Sequence, residues 1–313
     1  MTESEAFEGR VIRAQSGFYI VESEHGTHTA VLRGRFKKER RSEGLIALGD
    51  RVLLRRLELP EGESGKVDAV IDDVLPRESA LMRRAPGPKG VWAQDVVVAN
   101  VDQLVPVFAA RSPDPHFGML DRFLALAAID AIDSLIVINK VDLGLSAEVT
   151  HEIETYRRAG YRVILASTRS GEGIDALRDA LSGCVSAVVG PSGVGKSSLL
   201  NAVEPGLDIR VAEISQAVQK GRHTTRVGEL HRLRSGGLVA DTPGLRELAV
   251  WQVDPGELEW AFIEFRPFIN TCRFYDCTHV HEPGCAVKEA LERGEIDSRR
   301  YDSYLRLLGD ESN

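Results

Sequence analysis

The sequence predicts a multidomain α/β protein with a small N-terminal β-barrel, a central doubly wound sheet and a C-terminal helical metal-binding segment. Short strand patterns punctuated by Gly and Asp fill the first 75 residues, apolar runs alternate with helical patterns from about 93 to 250, and cysteines and histidines cluster after 270. A chain of 313 residues, 43% of them hydrophobic, is long enough for two or three separate cores.

Composition limits the compartment and the kind of partner. The formal net charge of −8 gives no reason to expect attraction between the whole molecule and nucleic acid, so any such binding depends on local charge. Residues 1–6 are acidic where a secretory signal is basic, and no apolar stretch approaches the roughly 18 residues that a membrane span needs. We expect a soluble cytoplasmic monomer with no membrane partner.

Residues 1–75 carry about five strand patterns, which favours a small barrel. The loop at residues 33–41 contains six cations and one anion around an aromatic side chain. Beside Phe18 and Tyr19, which we expect to be exposed, this loop suits contact with RNA, although a solvated charged surface is the alternative. The candidate RNA-binding residues are Arg33, Arg35, Phe36, Lys37, Lys38, Arg40 and Arg41.

Residues 76–92 separate the barrel from the central domain. Their three prolines, two glycines and basic side chains predict an extended, solvated linker without regular structure. Residues 93–250 then show the alternation expected of a mostly parallel sheet covered by helices. Within one apolar run, Pro106 cannot donate a ladder hydrogen bond, so a strand there requires a bulge or a free N–H position.

The strongest motif is the phosphate loop, Gly190-Pro-Ser-Gly-Val-Gly-Lys196-Ser197, between a strand pattern and a helical pattern. Its glycines let backbone N–H groups face phosphate, Lys196 reaches the β- and γ-phosphate oxygens, and the Ser197 hydroxyl suits Mg²⁺. The residues expected to contact the nucleotide here are Gly190, Pro191, Ser192, Gly193, Val194, Gly195, Lys196, Ser197 and Ser198.

The base is indicated by Asn139-Lys140-Val-Asp142, which follows an earlier apolar run. The Asp142 carboxylate can accept hydrogen bonds from N1–H and the exocyclic amine of guanine, whereas adenine has no such donor pair. Ser167 lies in a turn that partly matches the segment through which GTPases contact guanine O6. Alone the tetrapeptide is an ordinary polar turn, but with the phosphate loop it predicts GTP, bound by Asn139, Lys140, Asp142 and Ser167.

Asp241-Thr-Pro-Gly244 ends another strand pattern and offers a carboxylate for the metal and a backbone N–H for the γ-phosphate. The polar residues 219–227 suit a switch segment that orders when γ-phosphate is present. The expected Mg²⁺ ligands are Ser197, Asp241 and either Thr225 or Thr224. The motifs predict hydrolysis of GTP to GDP and phosphate, with Lys196, Asp241 and Gly244 at the catalytic centre.

The motif order is unusual, because the guanine motif at 139–142 precedes the phosphate loop, whereas ordinary GTPases have the loop first. This order predicts a circularly permuted P-loop domain. Such a rearrangement is tolerable because domain termini often lie close together, so joining them and opening a surface loop preserves the core.

The C-terminal region combines helices with a metal motif. A helix should begin at Asp254 and Pro255, and two short helices should be divided by Gly294. Between them, three thiolates and one imidazole would fill a tetrahedral Zn²⁺ shell, which predicts one structural zinc per chain. The ligands are Cys272, Cys277, Cys285 and, on spacing alone, either His279 or His281.

These features together resemble the family of ribosome small subunit-dependent GTPase A over nearly the whole chain, including Gly-Arg-His-Thr-Thr at 221–225 and the Cys-x4-Cys-x-His-x5-Cys spacing. The resemblance implies an oligonucleotide-binding (OB) fold at 1–75, a permuted GTPase at 93–250 and a zinc domain at 251–313. It also implies binding of the 30S subunit and 16S rRNA, a role in late 30S maturation, and His279 as the zinc ligand.

Hydrolysis poses a separate question, because Leu245 occupies the position where many GTPases place a water-orienting Gln. We therefore expect slow intrinsic turnover. The resemblance supports His223 as the residue that positions water when a ribosomal subunit orders its segment, whereas the alternative is a solvated loop histidine.

Two other functions remain open. The GTPase could serve another RNA or the large subunit, or the chain could be an RNA-binding scaffold with a vestigial nucleotide site. The intact Lys196, Ser197, Asp241 and Gly244 argue against the scaffold.

Overall fold

A computed structural model describes residues 6–15, 17–33, 46–57, 67–86, 92–207, 209, 228–240 and 255–309. The chain divides into two compact units. The first comprises Met1–Asp102, Leu181–Ala187 and Ser215–Glu247, and the second comprises Gln103–Ala180, Val188–Ile214 and Leu248–Asn313. No helix in the described part of the chain combines the length and apolarity that crossing a bilayer requires.

The N-terminal strands close into the five-stranded barrel that the sequence predicts, in the order β1-β2-β3-β5-β4. Antiparallel pairing of β1 with β4 closes it, and β3 pairs with β5 in parallel. The strands are β1 (Phe7–Gln15), β2 (Phe18–Ser23), β3 (Gly26–Leu32), β4 (Arg51–Arg56) and β5 (Ala69–Val74).

Alternate side chains of these strands fill the barrel, as the period of two in a half-buried strand requires. The fully buried members include Val11, Val21 and Leu54. Tyr19 also lies in this core with only 7% of its surface exposed, so the expectation that it is exposed is wrong. Phe18 points to the other face and is 48% exposed, as expected, because neighbouring strand residues face opposite sides.

The segment expected to be an unstructured linker contains a strand. Residues of β6 (Ala80–Pro86) pair antiparallel with β7 (Trp92–Ala99) in a separate two-stranded sheet. Pro76 precedes β6 and Pro86 is its last residue, so neither interrupts the hydrogen-bond ladder. The expectation of no regular structure across 76–92 is therefore wrong for the β6 residues and for Trp92 of β7, because the effect of a proline depends on its position in a strand.

Six strands form the central sheet in the order β10-β9-β8-β11-β13-β12. Strand β9 pairs in parallel with β8 and with β10, and β11 pairs in parallel with β13, whereas β12 and β13 pair antiparallel, as expected for a mostly parallel sheet. The strands are β8 (Gln103–Ala109), β9 (Asp133–Asn139), β10 (Arg162–Leu165), β11 (Val185–Val189), β12 (Leu230–Arg232) and β13 (Leu238–Ala240). The helices are α1 (Phe117–Ile129), α2 (Ala147–Arg158), α3 (Ile174–Leu181) and α4 (Lys196–Val203).

Strand β8 passes Pro106 without a bulge towards β9. Leu104 pairs with Ser134 and Val107 with Val137, so the register is the same on both sides of the proline. Strand β12 was not predicted, because three residues carry too little apolar pattern. Within the first unit it contacts the barrel, because Glu229, next to β12, forms an isolated antiparallel β-bridge with Arg13 through the backbone, and the Arg232 guanidinium pairs with the Glu22 carboxylate.

The C-terminal helices are α5 (Pro255–Ala261), α6 (Ala286–Glu292) and α7 (Ser298–Gly309). As predicted, a helix includes Pro255 and Gly294 divides α6 from α7, whereas Asp254, the predicted N-cap, lies outside the described residues. Phe262, Phe265 and Tyr304 pack as neighbouring rings with centroids 5.1–5.6 Å apart, which gives this small segment an aromatic core.

A buried ion cluster joins α7 to the helices of the central domain within the second unit. Arg300 is 1% exposed and donates to Asp121 of α1 and to Glu264 at 2.5 Å each. Its neighbour Arg299 also donates to Asp121, at 2.5 Å, and pairs with Glu152 of α2. Burial alone would raise the pKa of Asp121, but the two guanidinium charges lower it, so the carboxylate is held ionised.

Candidate nucleotide and metal sites

The phosphate loop connects β11 to α4, as predicted. Its glycines adopt positive φ at Gly190, Gly193 and Gly195 (138°, 82° and 94°), a backbone region that other residues rarely adopt. A Cβ at Gly190 would lie 2.1 Å from the carbonyl oxygen of Val107, so only glycine fits there. The loop therefore has the strand-to-helix context in which backbone N–H groups can converge on phosphate.

Lys196 begins α4 and turns back over the loop. Its Nζ donates to the carbonyl oxygens of Gly190 at 2.7 Å and Pro191 at 2.8 Å, and the side chain is only 7% exposed. The ammonium group is thus held inside the loop, where phosphate oxygens of a nucleotide would neutralise it.

The guanine motif meets the phosphate loop although the two are far apart in the chain. The Asn139 side-chain amide donates to the carbonyl oxygen of Val194 at 2.8 Å, and Lys140 Nζ donates to that of Gly193 at 2.7 Å. A Cβ at Gly195 would lie 2.5 Å from Asn139 Nδ2, which requires glycine at this approach. The structure therefore brings both predicted motifs into one site.

Asp142 lies in a short 3₁₀ turn after β9 and is exposed. The buried Ser167 hydroxyl donates to Asp142 Oδ1 at 2.6 Å. The same hydroxyl oxygen accepts from the backbone N–H groups of Arg169 and Ser170, each at 3.2 Å, which fixes its orientation. Ser167, whose turn only partly matches its motif in sequence, thus orients the carboxylate that is expected to select guanine.

Several predicted residues lie outside the described parts of the chain, so their placement stays a prediction. They are His223, Thr224, Thr225, Asp241 and Gly244 of the hydrolysis machinery, and Arg35, Phe36, Lys37, Lys38, Arg40 and Arg41 of the candidate RNA loop. Of that loop, Arg33 is described; it is exposed and donates to Asp72 at 2.9 Å.

The C-terminal cluster has the geometry of a metal centre. One ligand atom from each of Cys272, Cys277, His279 and Cys285 lies within 4.8 Å of the others. His279 Nδ1 is 3.6 Å from Cys272 Sγ and 3.4 Å from Cys285 Sγ. Three thiols and an imidazole at such separations suit a tetrahedral cation that prefers sulfur and nitrogen.

The structure brings His279 rather than His281 to this cluster. His279 is fully buried with a positive φ of 63°, and its carbonyl oxygen accepts from the Tyr301 hydroxyl at 2.6 Å, whereas His281 is exposed. His279 Nε2 lies 2.7 Å from Glu259 Oε2, the carboxylate partner that metal-binding histidines commonly have. Sequence reasoning missed Glu259, because nothing in its local sequence distinguishes it from Glu257 on the same helix.

Comparison with known proteins agrees with this architecture. The RsgA GTPase family model matches residues 74–251, and the RsgA N-terminal domain model matches residues 8–63. The small ribosomal subunit biogenesis GTPase RsgA of Gemmatimonas aurantiaca is 48% identical, over 96% of this chain and 95% of its own length. The protein of the same name from Moorella thermoacetica is 43% identical, over 97% of each chain.

Solved structures resemble the whole chain as well. YjeQ from Thermotoga maritima has a TM-score of 0.77 and 33% identity, with 98% of each chain covered. YloQ, described as a circularly permuted GTPase, has a TM-score of 0.75 and 32% identity, covering 99% of this chain and 96% of its own. The chain therefore belongs to the RsgA family and is a circularly permuted GTPase with an OB-like N-terminal barrel.

Proposed function

We propose that this GTPase is a late maturation factor of the 30S ribosomal subunit and that the subunit stimulates its turnover. The observation that carries the proposal is the similarity to a relative named small ribosomal subunit biogenesis GTPase, 48% identical over 96% of the chain. The joined guanine and phosphate motifs support it, because an assembly GTPase needs a complete nucleotide site.

In this proposal the Asp142 carboxylate, oriented by Ser167, accepts the two guanine donors, and the backbone of residues 190–198 binds the phosphates. Lys196 neutralises the β- and γ-phosphate oxygens as charge develops there. Ser197, Asp241 and Thr225 (or Thr224) are the proposed ligands of Mg²⁺, which supplies further charge stabilisation when bound. The Gly244 backbone N–H contacts the γ-phosphate.

His223 is the proposed water-positioning residue. Its segment is polar and Leu245 cannot orient water, so a histidine ordered by the ribosomal subunit would explain a slow enzyme that accelerates on its partner. The alternative is a solvated His223 that does not position water. Turnover of the His223→Ala variant, described below, distinguishes the two.

The two flanking domains are the proposed rRNA-binding parts. The basic residues between Arg33 and Arg41 and exposed Phe18 favour contact of the barrel with 16S rRNA. In the C-terminal domain we propose one structural Zn²⁺, held by Cys272, Cys277, His279 and Cys285, since this donor set suits zinc and leaves no open position. We further propose a cytoplasmic monomer.

The test is steady-state GTP turnover of the protein alone, with purified 30S subunits and with purified 50S subunits. We expect slow turnover alone, a several-fold rise with 30S subunits and none with 50S. The Lys196→Ala variant is the control for contaminating activity. His223→Ala should bind 30S subunits yet lose the stimulation. Stimulation by 50S subunits, or by neither, would refute the 30S assignment.

A further inference from the structure

The C-terminal domain exposes aromatic side chains on the loop between two metal-site cysteines. This loop, Cys272-Arg-Phe-Tyr-Asp-Cys277, is called here the knuckle. Tyr275 is fully exposed and Phe274 is 41% exposed. Exposed aromatic side chains next to each other contribute little to folding, since their apolar surface stays in water. They therefore call for an explanation outside the domain core.

Contacts at both ends restrain the knuckle. Cys272 and Cys277 belong to the metal cluster at its two ends, and the Arg273 backbone N–H donates to the Gly284 carbonyl oxygen at 3.0 Å. Gly284 has a φ of 71°, and a Cβ there would lie 3.1 Å from Arg273 Cβ, so the close approach depends on glycine. A loop fixed in this way loses little conformational entropy when its side chains bind a partner.

The chemistry of the knuckle suits the stacking of nucleobases. The Arg273 guanidinium lies 5.6 Å from the centre of the Phe274 ring, so one ring face carries a cation, and Tyr275 offers a second ring at the next position in the chain. Among the described residues of the C-terminal domain, the exposed large hydrophobic side chains are all aromatic: Trp260, Phe274 and Tyr275. Unpaired bases stack on aromatic rings and arginine planes, and the knuckle offers both.

We propose that the knuckle is a stacking surface for unpaired bases of RNA, with Tyr275 as the main contact and the Arg273–Phe274 pair as the second. The identity of that RNA, an unpaired segment within the small subunit, rests on the proposed function. The stacking itself does not, because it follows from the exposed rings.

The experiment measures equilibrium binding of Tyr275→Ala, Tyr275→Phe and wild type to 30S subunits in the presence of a non-hydrolysable GTP analogue. Tyr275→Ala should bind about tenfold more weakly, within the range for loss of one stacked base. Tyr275→Phe should bind like wild type, because stacking needs the ring and not the hydroxyl. Intrinsic GTP turnover and thermal unfolding should be equal in all three, since the Tyr275 side chain is fully exposed in the described part of the chain.

Salt dependence separates stacking from charge. Tyr275→Ala should leave the slope of log affinity against log salt unchanged, because loss of a stacked base changes no phosphate contact. Equal affinity of Tyr275→Ala and wild type would overturn the proposal. So would ultraviolet cross-linking that joins the Cys272–Cys277 peptide to a ribosomal protein rather than to a nucleotide.

If wild type does not bind 30S subunits, the proposed function fails and the knuckle is tested on mixed-sequence single-stranded RNA with the same variants. Weaker binding by Tyr275→Ala alone would then support the stacking surface independently. Equal binding of the variants to that RNA would refute it.

Discussion

The side-chain amide of Asn139 donates a hydrogen bond to the carbonyl oxygen of Val194 over 2.8 Å. Asn139 ends β9 and is 1% exposed, while Val194 lies in the phosphate loop after β11. This contact joins the guanine motif to the phosphate loop in a chain whose motif order is permuted. Function therefore depends on where the strands place these residues and not on their order along the chain.

Removing this contact should loosen the nucleotide site. In Asn139→Ala the buried Val194 carbonyl loses its donor, at a cost of about 1–3 kcal/mol. We expect GTP affinity, measured by isothermal titration, to fall by roughly tenfold or more, because the phosphate loop loses its hydrogen bond from Asn139. Unchanged GTP affinity would mean that the hydrogen bond from Asn139 to Val194 is unimportant for binding.

Metal content should distinguish the two histidines. Purified wild type should contain about one zinc per chain by elemental analysis, and His279→Ala should lose most of it because the imidazole nitrogen beside Cys272 and Cys285 is gone. His281→Ala is the matched control, since His281 is exposed and lies outside the cluster. Equal zinc loss in both variants would contradict the assignment of His279.

Arg300 should be among the most costly residues to replace. In Arg300→Met the carboxylates of Asp121 and Glu264 lose their shared buried cation, and breaking a buried pair in this way costs about 3–5 kcal/mol. The free energy of unfolding, measured in urea, should fall by this amount. Arg293→Met, which breaks the exposed pair with Glu295, should unfold like wild type. A similar small effect for both would show that the buried cluster does not hold α7 in place.

Asp130 should make stability depend on pH. Burial and the nearby charge of Glu257 raise the pKa of Asp130 to about 6, so the folded state binds this proton more tightly than the unfolded chain does. The ionised carboxylate therefore destabilises the fold above pH 6, and the penalty disappears as pH falls from 6 towards 4. The full pKa shift corresponds to a free-energy penalty of about 3 kcal/mol. Because this group is partly exposed, solvent screening reduces the penalty to about 1 kcal/mol.

The matched variant is Asp130→Asn, which keeps the shape of the side chain without its charge at the C-terminal end of α1. It should be more stable than wild type in urea at pH 7.5 and equally stable near pH 4. A constant difference between the two proteins at both pH values would rule out titration of Asp130 as the cause.

The strand and helix order was predictable because apolar runs, glycines and cysteines act locally. Tyr19 and Phe18 show the limit of such reasoning, because composition identifies aromatic residues but only strand phase decides which side chain faces the barrel core. The strand Ala80–Pro86 shows another limit, since the effect of a proline depends on its position in the strand.

In the candidate sites, too, local sequence predicts some features, whereas others depend on the fold. The spacing identified the four candidate metal-binding positions, but the choice of His279 over His281 depends on the fold of the intervening turn and on Tyr301 from a distant helix. Likewise the contacts of Ser167 with Asp142 and of Glu259 with His279 join residues from separate elements, and no local pattern encodes them.

The central claim is that the guanine motif and the phosphate loop form one nucleotide site despite their permuted order. The base specificity of the Asp142→Asn variant tests this claim most directly. Equilibrium dissociation constants for GTP, XTP and ATP should be measured for this variant and for wild type. Wild type should prefer GTP. The variant should lose GTP affinity by tenfold or more, about the effect of leaving buried donors unpaired, and should gain affinity for XTP, whose 2-oxo group accepts from the new amide. An unchanged preference for GTP would contradict the account, because Asp142 would then not face the base bound at the phosphate loop.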